Sequence, residues 1–376
     1  MTTYAMAQTD ATATIQAAMN AALAQTGSYT LPPGGYCLTS TGLGYNSNAT
    51  IYMVGDLYNN HGPLVGTLYC LTNRTHGRMS NVNIIGQGGS FAGANTPANG
   101  ATRKGLGIVA TDGFSVTGVM TSGPLTGFGM EVKNSTNGVL KNLQLLSGAN
   151  IAGADGLHFF GACSKVTGQN ITVSSGDDSL SFTCENSESM NAVLQNITLS
   201  GMTLNSDAFS SIKFYTSPTT GRATIRNIQI SNVVGTITRG PTGCPLMMEN
   251  TGYPQGCVIE DVTITNADLN FGAGAQAGPS AFLTYVTNVT LNNITLRGRR
   301  QGQFLRAIGC KGLTVTGACY DTIPGSSMTD LVQLEECGQY SINLVIYNAA
   351  GARIGSVVAS NNGTDSGTRY IGITAA

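Results

Sequence analysis

The chain has 376 residues, of which 41% are apolar and 50 are glycine. That is enough for one large domain or two ordinary ones, with an ample core and many tight turns. Charged residues are only 10% and the formal net charge is −1. The one basic cluster, Arg297, Arg299 and Arg300, is too small for a nucleic-acid footprint, so that partner class is excluded. No apolar run approaches the roughly 20 residues that a membrane-spanning helix needs, so no membrane partner is expected.

The opening "MTTYAMAQTDATATIQ" has neither a basic n-region nor an apolar h-region and does not read as a secretory signal. Either the protein leaves its cell by another route, such as lysis, or a leader has been removed. "TDATATIQAAMNAALAQTG" is the clearest helix. Asp10 is its expected N-cap, Ile15, Met19, Ala22 and Leu23 share one apolar face, and Gly27 stops it. "YTLPPGGYCL" follows as a first strand broken by a Pro/Gly turn.

From there the chain repeats one short phrase, an Asn or Asp followed by alternating apolar and polar residues. It reads "NVNIIG" at 81, "KNLQLL" at 141, "QNITVS" at 169, "QNITLS" at 195, "RNIQIS" at 226, "EDVTIT" at 260, "NNITLR" at 292 and "GLTVTG" at 312. Such alternation marks a half-buried strand. A repeat of roughly 20–50 residues marks a solenoid. The sequence lacks the long helices of a helical solenoid and the four strands per repeat of a propeller. The expected fold is all-β, a right-handed parallel β-helix solenoid with an N-terminal capping helix. Each coil has an apolar row it cannot bury alone, so the coils must stack. Asn142, Asn170, Asn196 and Asn227 are expected to stack at one turn as an amide ladder.

Three parts are expected. Residues 1–60 hold the capping helix and first strands, 61–324 the β-helix with the site, and 325–376 a β cap or oligomerisation segment. In the last, "INLVIYNAAGARIGSVVAS" reads as a hairpin. The nine cysteines form no CxxC pair and no zinc pattern. They read as buried apolar residues, with a Cys310–Cys319 disulfide left open. No metal and no cofactor is expected.

Against this charge-poor background, Asp155 lies in "GADGLHF" and the pair Asp177–Asp178 in "GDDSLSF". Position 177 follows 155 by close to one coil, which places the three carboxylates side by side at about the 5 Å strand spacing. Clustered carboxylates repel, so at least one pKa should rise. Such a site can keep one acid protonated and leave a base ionised, as glycoside hydrolysis requires. The same residues could instead be a solvated turn, since Asp favours turns.

"DATATIQAAMNAAL…YTLPPGGYCL" resembles the opening of pectate-lyase-superfamily β-helix proteins, many of them phage tailspikes. "ADGLHF", "GDDSLSF" and "SIKF" resemble segments of the polygalacturonase-like glycoside hydrolases of family 28. The resemblance implies Asp177 as general acid and Asp155 with Asp178 as the groups that activate water. It implies inversion, with acid and base roughly 6.5–9.5 Å apart. Lys213, in Ser211-Ile212-Lys213 where the family has Arg-Ile-Lys, would bind an anionic or polar group of the sugar. The family's Gly-His-Gly should fall at "LSGMTLN", which has no histidine. The chain's histidines are His61, His76 and His158. His158 is a candidate substrate-binding residue; on an alternating strand it would face away from Asp155, and a turn between them would reverse that.

The expected activity is therefore glycan cleavage by a tailspike-type depolymerase, with bacterial surface polysaccharide as partner and, by the tailspike resemblance, a homotrimer. One alternative is a non-catalytic fibre that binds a glycan or receptor. Another is a polysaccharide lyase, in which the three aspartates hold calcium near Lys213.

Overall fold

In a computed structural model, the described residues are 9–39, 41–60, 68–75, 77–93, 103–123, 125–147, 151–185, 189–217, 222–238, 243–272, 278–298, 302–321, 330–363 and 367–373. His61, His76, Arg299 and Arg300 lie outside them. The chain winds into a right-handed parallel β-helix. Each coil contributes a short strand to a 12-stranded sheet and a long strand to a 17-stranded sheet. Within both sheets the neighbouring coils pair parallel, as in Leu180–Glu185 beside Ile212–Ser217 and Val193–Ser206 beside Thr224–Ile237.

The long strands are bent, and the repeat phrase supplies the bends. In Thr224–Ile237 the inward residues Ile225, Ile228, Ile230, Val233 and Ile237 are buried, but their alternation slips at Asn227 and Asn232. Both asparagines have left-handed backbone, φ 51° and 55°, a conformation that Asn and Gly adopt with least penalty. The phrase therefore marks two corners rather than one, and this corrects the expected ladder. Asn170 donates to Asn142 at 3.2 Å, in a column that continues through Gly201, Asn232, Asn266 and Asn293. Asn227 donates to Asn196 at 2.6 Å, in a second column continuing to Asp261 and Asn288. The two columns were read as one because each phrase looks alike in one dimension. Each amide bond adds about 1 kcal/mol net.

The interior is a single file of apolar layers. Behind the site strands, Phe159, Phe182 and Phe214 stack with ring centroids 5.1 and 4.7 Å apart. At the N-terminal end the helix Thr12–Thr26 covers the open coil, burying Ile15 and Met19, with Leu23 partly buried and Ala22 half-buried. Gly27 ends it at φ 69°, its N–H donating to Leu23 O. The N-cap position falls on Ala11 rather than Asp10. Asp10 sits one residue earlier, where its Oδ1 accepts the N–H groups of Thr12 and Thr39 at 3.1 Å and so ties the helix start to the first coil.

At the other end the parallel coils run to Gly338–Tyr347. There Arg353–Asn361 folds back antiparallel on that strand, and Thr368–Ile371 does the same on Val332–Glu335. The expected hairpin is thus present and covers the edges of the last coil. All nine cysteines are buried free thiols. Cys310 lies beside Cys337 of the next coil, its hydrogen-bonding partner, and not in a bond with Cys319.

Candidate active site

Three short strands carry the site, Leu157–Phe160, Leu180–Glu185 and Ile212–Ser217. Alternation sends the three stacked phenylalanines inward, so His158, Ser181 and Lys213 form one outward row in register. The carboxylates come from the turns that precede these strands. The Gly156 N–H donates to Asp178 O at 2.9 Å, and Leu157 pairs with Leu180. Asp155 therefore stands beside the expected pair, opposite Asp178. Gly156 is required at this entry, because a Cβ there would lie 1.9 Å from Val173 Cγ1.

The expected cluster forms. One oxygen from each of Asp155, Asp177 and Asp178 lies within 4.8 Å of the other two. Asp155 and Asp178 are 4% and 2% exposed, while Asp177 is half-buried at the surface. The spacing is set by the coil stacking itself and is tighter than the separation expected of an inverting pair. Serines hold the double-aspartate turn, with Ser175 Oγ and Ser206 Oγ both donating to Asp177 O, at 3.0 and 2.5 Å. Asp178 Oδ1 accepts the Ser210 N–H at 3.1 Å, and Asp177 Oδ2 accepts the Gly153 N–H at 2.5 Å.

Lys213 extends back along the sheet and places Nζ 2.9 Å from Asp178 Oδ2. Burial pulls its pKa down, but the charge and hydrogen bond of Asp178, with Asp155 and Asp177 behind, lift it above an ordinary lysine. Burial raises Asp178 well above an ordinary carboxyl despite that ammonium, helped by Asp155 and Asp177. Lys213 is thus held as an ammonium while burial, more than the neighbouring carboxylates, favours the protonated form of Asp178.

His158 corrects the alternation argument. The strand begins only at Leu157, so the turn at Gly156 lets the ring face Asp155, with Nδ1 2.7 Å from Asp155 Oδ2. Its Nε2 is 2.6 Å from Thr183 Oγ1, and the ring packs 4.1 Å from Phe128. At 3% exposure it is closed off from solvent. Burial lowers its pKa to about 3, which keeps it neutral. Burial, then Asp177, raises Asp155 to about 7.

Several site residues escaped the sequence. Glu131 is in register with His158 on the preceding coil. It pairs with Lys104 at 2.9 Å and with the Tyr69 hydroxyl, and Lys104 Nζ lies 3.9 Å from the Phe128 ring centroid. Lone charges in "RKGLGIV" and "MEVK" look like ordinary strand decoration, and nothing in either marks their pairing. The segment on the coil after the double aspartate is "DAFSS", not "LSGMTLN". Asp178 meets Ser210, while Gly201 turns a corner of the far sheet beside Asn170. Where the family pattern has its histidine coil, this chain presents Phe209, whose ring centroid is 4.7 Å from Lys213 Nζ. Ser211, standing at the family's arginine, is fully buried.

The trio could offer a divalent cation three carboxylates, but the Lys213 ammonium already neutralises one of them. No protein-family model and no curated protein matches this sequence. Solved structures do match in shape. A family 28 exopolygalacturonase from Yersinia enterocolitica superposes with a TM-score of 0.62 at 12% identity, over 93% of this chain and 77% of that one. PfbA, a surface adhesin of Streptococcus pneumoniae, gives 0.58 at 11% over 97% of both chains. The endo-xylogalacturonan hydrolase of Aspergillus tubingensis gives 0.52 at 14% over 93% of both. The chain thus shares with these proteins, two glycoside hydrolases and an adhesin, the right-handed parallel β-helix fold.

Proposed function

We propose that this protein hydrolyses a polysaccharide at the trio Asp155, Asp177 and Asp178. The observation that carries the reading is the trio itself, three carboxylates with one oxygen of each within 4.8 Å of the others, two of them buried, beside one lysine and a neutral histidine. Buried carboxylates that hold a proton near neutrality are costly, and a proton that can be given to a leaving oxygen is what that cost supplies. Burial keeps a proton on Asp155 and Asp178; Asp177, the half-buried member, is the one a glycan reaches, so it relays that proton to the leaving oxygen as general acid. Asp155 and Asp178, left ionised by the relay, form the base that activates water. Asp177 turns outward as substrate binds, admitting that water and opening the trio to an inverting separation. Lys213 opposes the effect of burial on Asp178, favouring its ionised form once the proton has left, and orients a sugar hydroxyl. His158 holds Asp155.

In its finer form the reading is a tailspike-type depolymerase of bacterial surface polysaccharide, working outside the cell or on a virion as a homotrimer. It draws on the resemblance of the N-terminal helix and first strands. Light scattering on purified protein checks the trimer. Bulk cleavage is tested by incubating capsule and O-antigen polysaccharides with the protein and following their size by gel filtration, with and without chelator. Loss of polymer length that chelator leaves unchanged supports the hydrolase. Chelator-sensitive cleavage supports the calcium-dependent lyase instead.

A second reading, a glycan-binding fibre, is favoured by the full-length match to an adhesin. It is separated from the first by binding without loss of polymer length.

A further inference from the structure

The turns that precede the short strands on successive coils present Phe128, Asp155, Asp177 with Asp178, and then Phe209. Gly129 N–H donates to Asp155 O at 2.8 Å, Gly156 N–H to Asp178 O at 2.9 Å and Ser179 N–H to Ser210 O at 2.8 Å, so these residues occupy one corner of the solenoid. The carboxylates are bracketed along the helix axis by two half-buried aromatic rings. Three coil steps separate the rings, about 14 Å by the strand spacing. Phe128 is propped from below by His158 and Lys104. Phe209 rests on an apolar cluster outside the solenoid core, formed by Ile237, Cys244, Met247 and Phe271. Lys213 Nζ also lies 4.7 Å from the Phe209 ring centroid. Half-exposed rings held in place by such packing are platforms for the apolar face of a sugar, as for any flat partner with C–H edges.

Charge points the same way. The acids at this corner are Asp155, Asp177, Asp178 and Glu131, and the cations are Lys104 and Lys213. Each cation is already committed, Lys213 to Asp178 at 2.9 Å and Lys104 to Glu131 at 2.9 Å. A uronate or sialate passing over this corner would find neither lysine without a carboxylate partner, and its carboxylate would have to displace one of these ion pairs.

We propose that this corner of the solenoid takes a neutral glycan, aligned along the solenoid axis by stacking on Phe128 and Phe209, and discriminates against acidic polysaccharides such as polygalacturonate. This rests on the proposed hydrolytic site and names its substrate class.

The test uses the full chain and the Asp177→Asn variant, with immobilised neutral O-polysaccharides and immobilised polygalacturonate as probes. Binding is measured at low and high salt. The expected result is binding to a neutral polymer with little salt dependence, and weaker or no binding to polygalacturonate. Phe209→Ala should weaken neutral binding about threefold to tenfold, and Phe209→Tyr should restore it. Tighter binding to polygalacturonate, or neutral binding unmoved by Phe209→Ala, would overturn the inference. Cleavage of polygalacturonate would overturn it while leaving the hydrolase reading intact. A neutral glycan held through Phe209 but never cut would do the reverse, supporting the inference against hydrolysis.

Discussion

His158 Nδ1 lies 2.7 Å from Asp155 Oδ2, with both groups buried, so the fold holds an acid and a base in contact away from water. Burial raises the acid from 3.8 to about 7 and lowers the imidazole from 6.5 to about 3. In water these groups would form a zwitterion at mildly acidic pH. Inside the protein they form a neutral pair, because desolvation penalises both charges.

That exchange has a signature in stability. Folded Asp155 keeps its proton between pH 3.8 and about 7 while the unfolded chain has lost it, so its stabilising effect is present below 3.8 and lost as pH rises through about 7. Folded His158 lacks a proton that the unfolded chain carries between about 3 and 6.5, so its effect is present above 6.5 and lost as pH falls through about 3. The two slopes oppose each other. Asp155→Asn should expose the histidine slope, with stability rising with pH through this window. His158→Gln should expose the opposite slope. Urea midpoints across the window check both, and identical profiles for all three proteins would contradict the neutral pair.

Lys213 should set the pH range of activity. Its ammonium lowers the pKa of both Asp155 and Asp178. Lys213→Met removes that effect, so the base ionises later and the acidic limb of the pH–rate profile moves to higher pH. Lys213→Arg should move it part of the way back. A profile that loses height without moving would show that Lys213 acts on the substrate alone.

The corner asparagines predict a graded stability series. Asn266 sits at φ 54°, donates to Asn232 at 3.1 Å and accepts from Asn293 at 2.8 Å. Asn266→Gly keeps the backbone and loses the amide bonds, costing about 1–2 kcal/mol. Asn266→Ala adds the left-handed penalty of about 1–2 kcal/mol. Thermal unfolding of the pair checks the order, and equal losses would contradict the backbone account.

Stereochemistry tests the opening of the trio. If Asp177 turns outward to admit water, the first product seen by proton NMR has inverted configuration at the new reducing end. Retention would mean that the 4.8 Å cluster acts closed, with a covalent intermediate on one aspartate.

What the sequence made legible was whatever is periodic or local. Alternation around Asn142, Asn196 and Asn227 identified stacked strands, and Ile15 and Met19 identified the cap. Asp155, Asp177 and Asp178 were legible because carboxylates are scarce here and the coil length is nearly constant. The assignment of corners was not legible, because Asn170 and Asn196 are the same phrase on different edges of the solenoid. Nor was the partner coil of the carboxylates. Counting a fixed interval from Asp178 lands on Gly201, whereas hydrogen bonding lands on Ser210, because loop length varies between coils. The Lys104–Glu131 pair and the Asp155–His158 contact depend on register and on one turn at Gly156, which no one-dimensional period encodes.

The most direct test of hydrolysis at the trio is product analysis in heavy-oxygen water, comparing the protein with Asp177→Asn on a polysaccharide that it shortens. Mass spectrometry should find saturated oligosaccharides carrying one heavy oxygen at each new reducing end, and the variant should yield at most about one hundredth of them. Unsaturated ends without the label, or undiminished cleavage by the variant, would contradict the account.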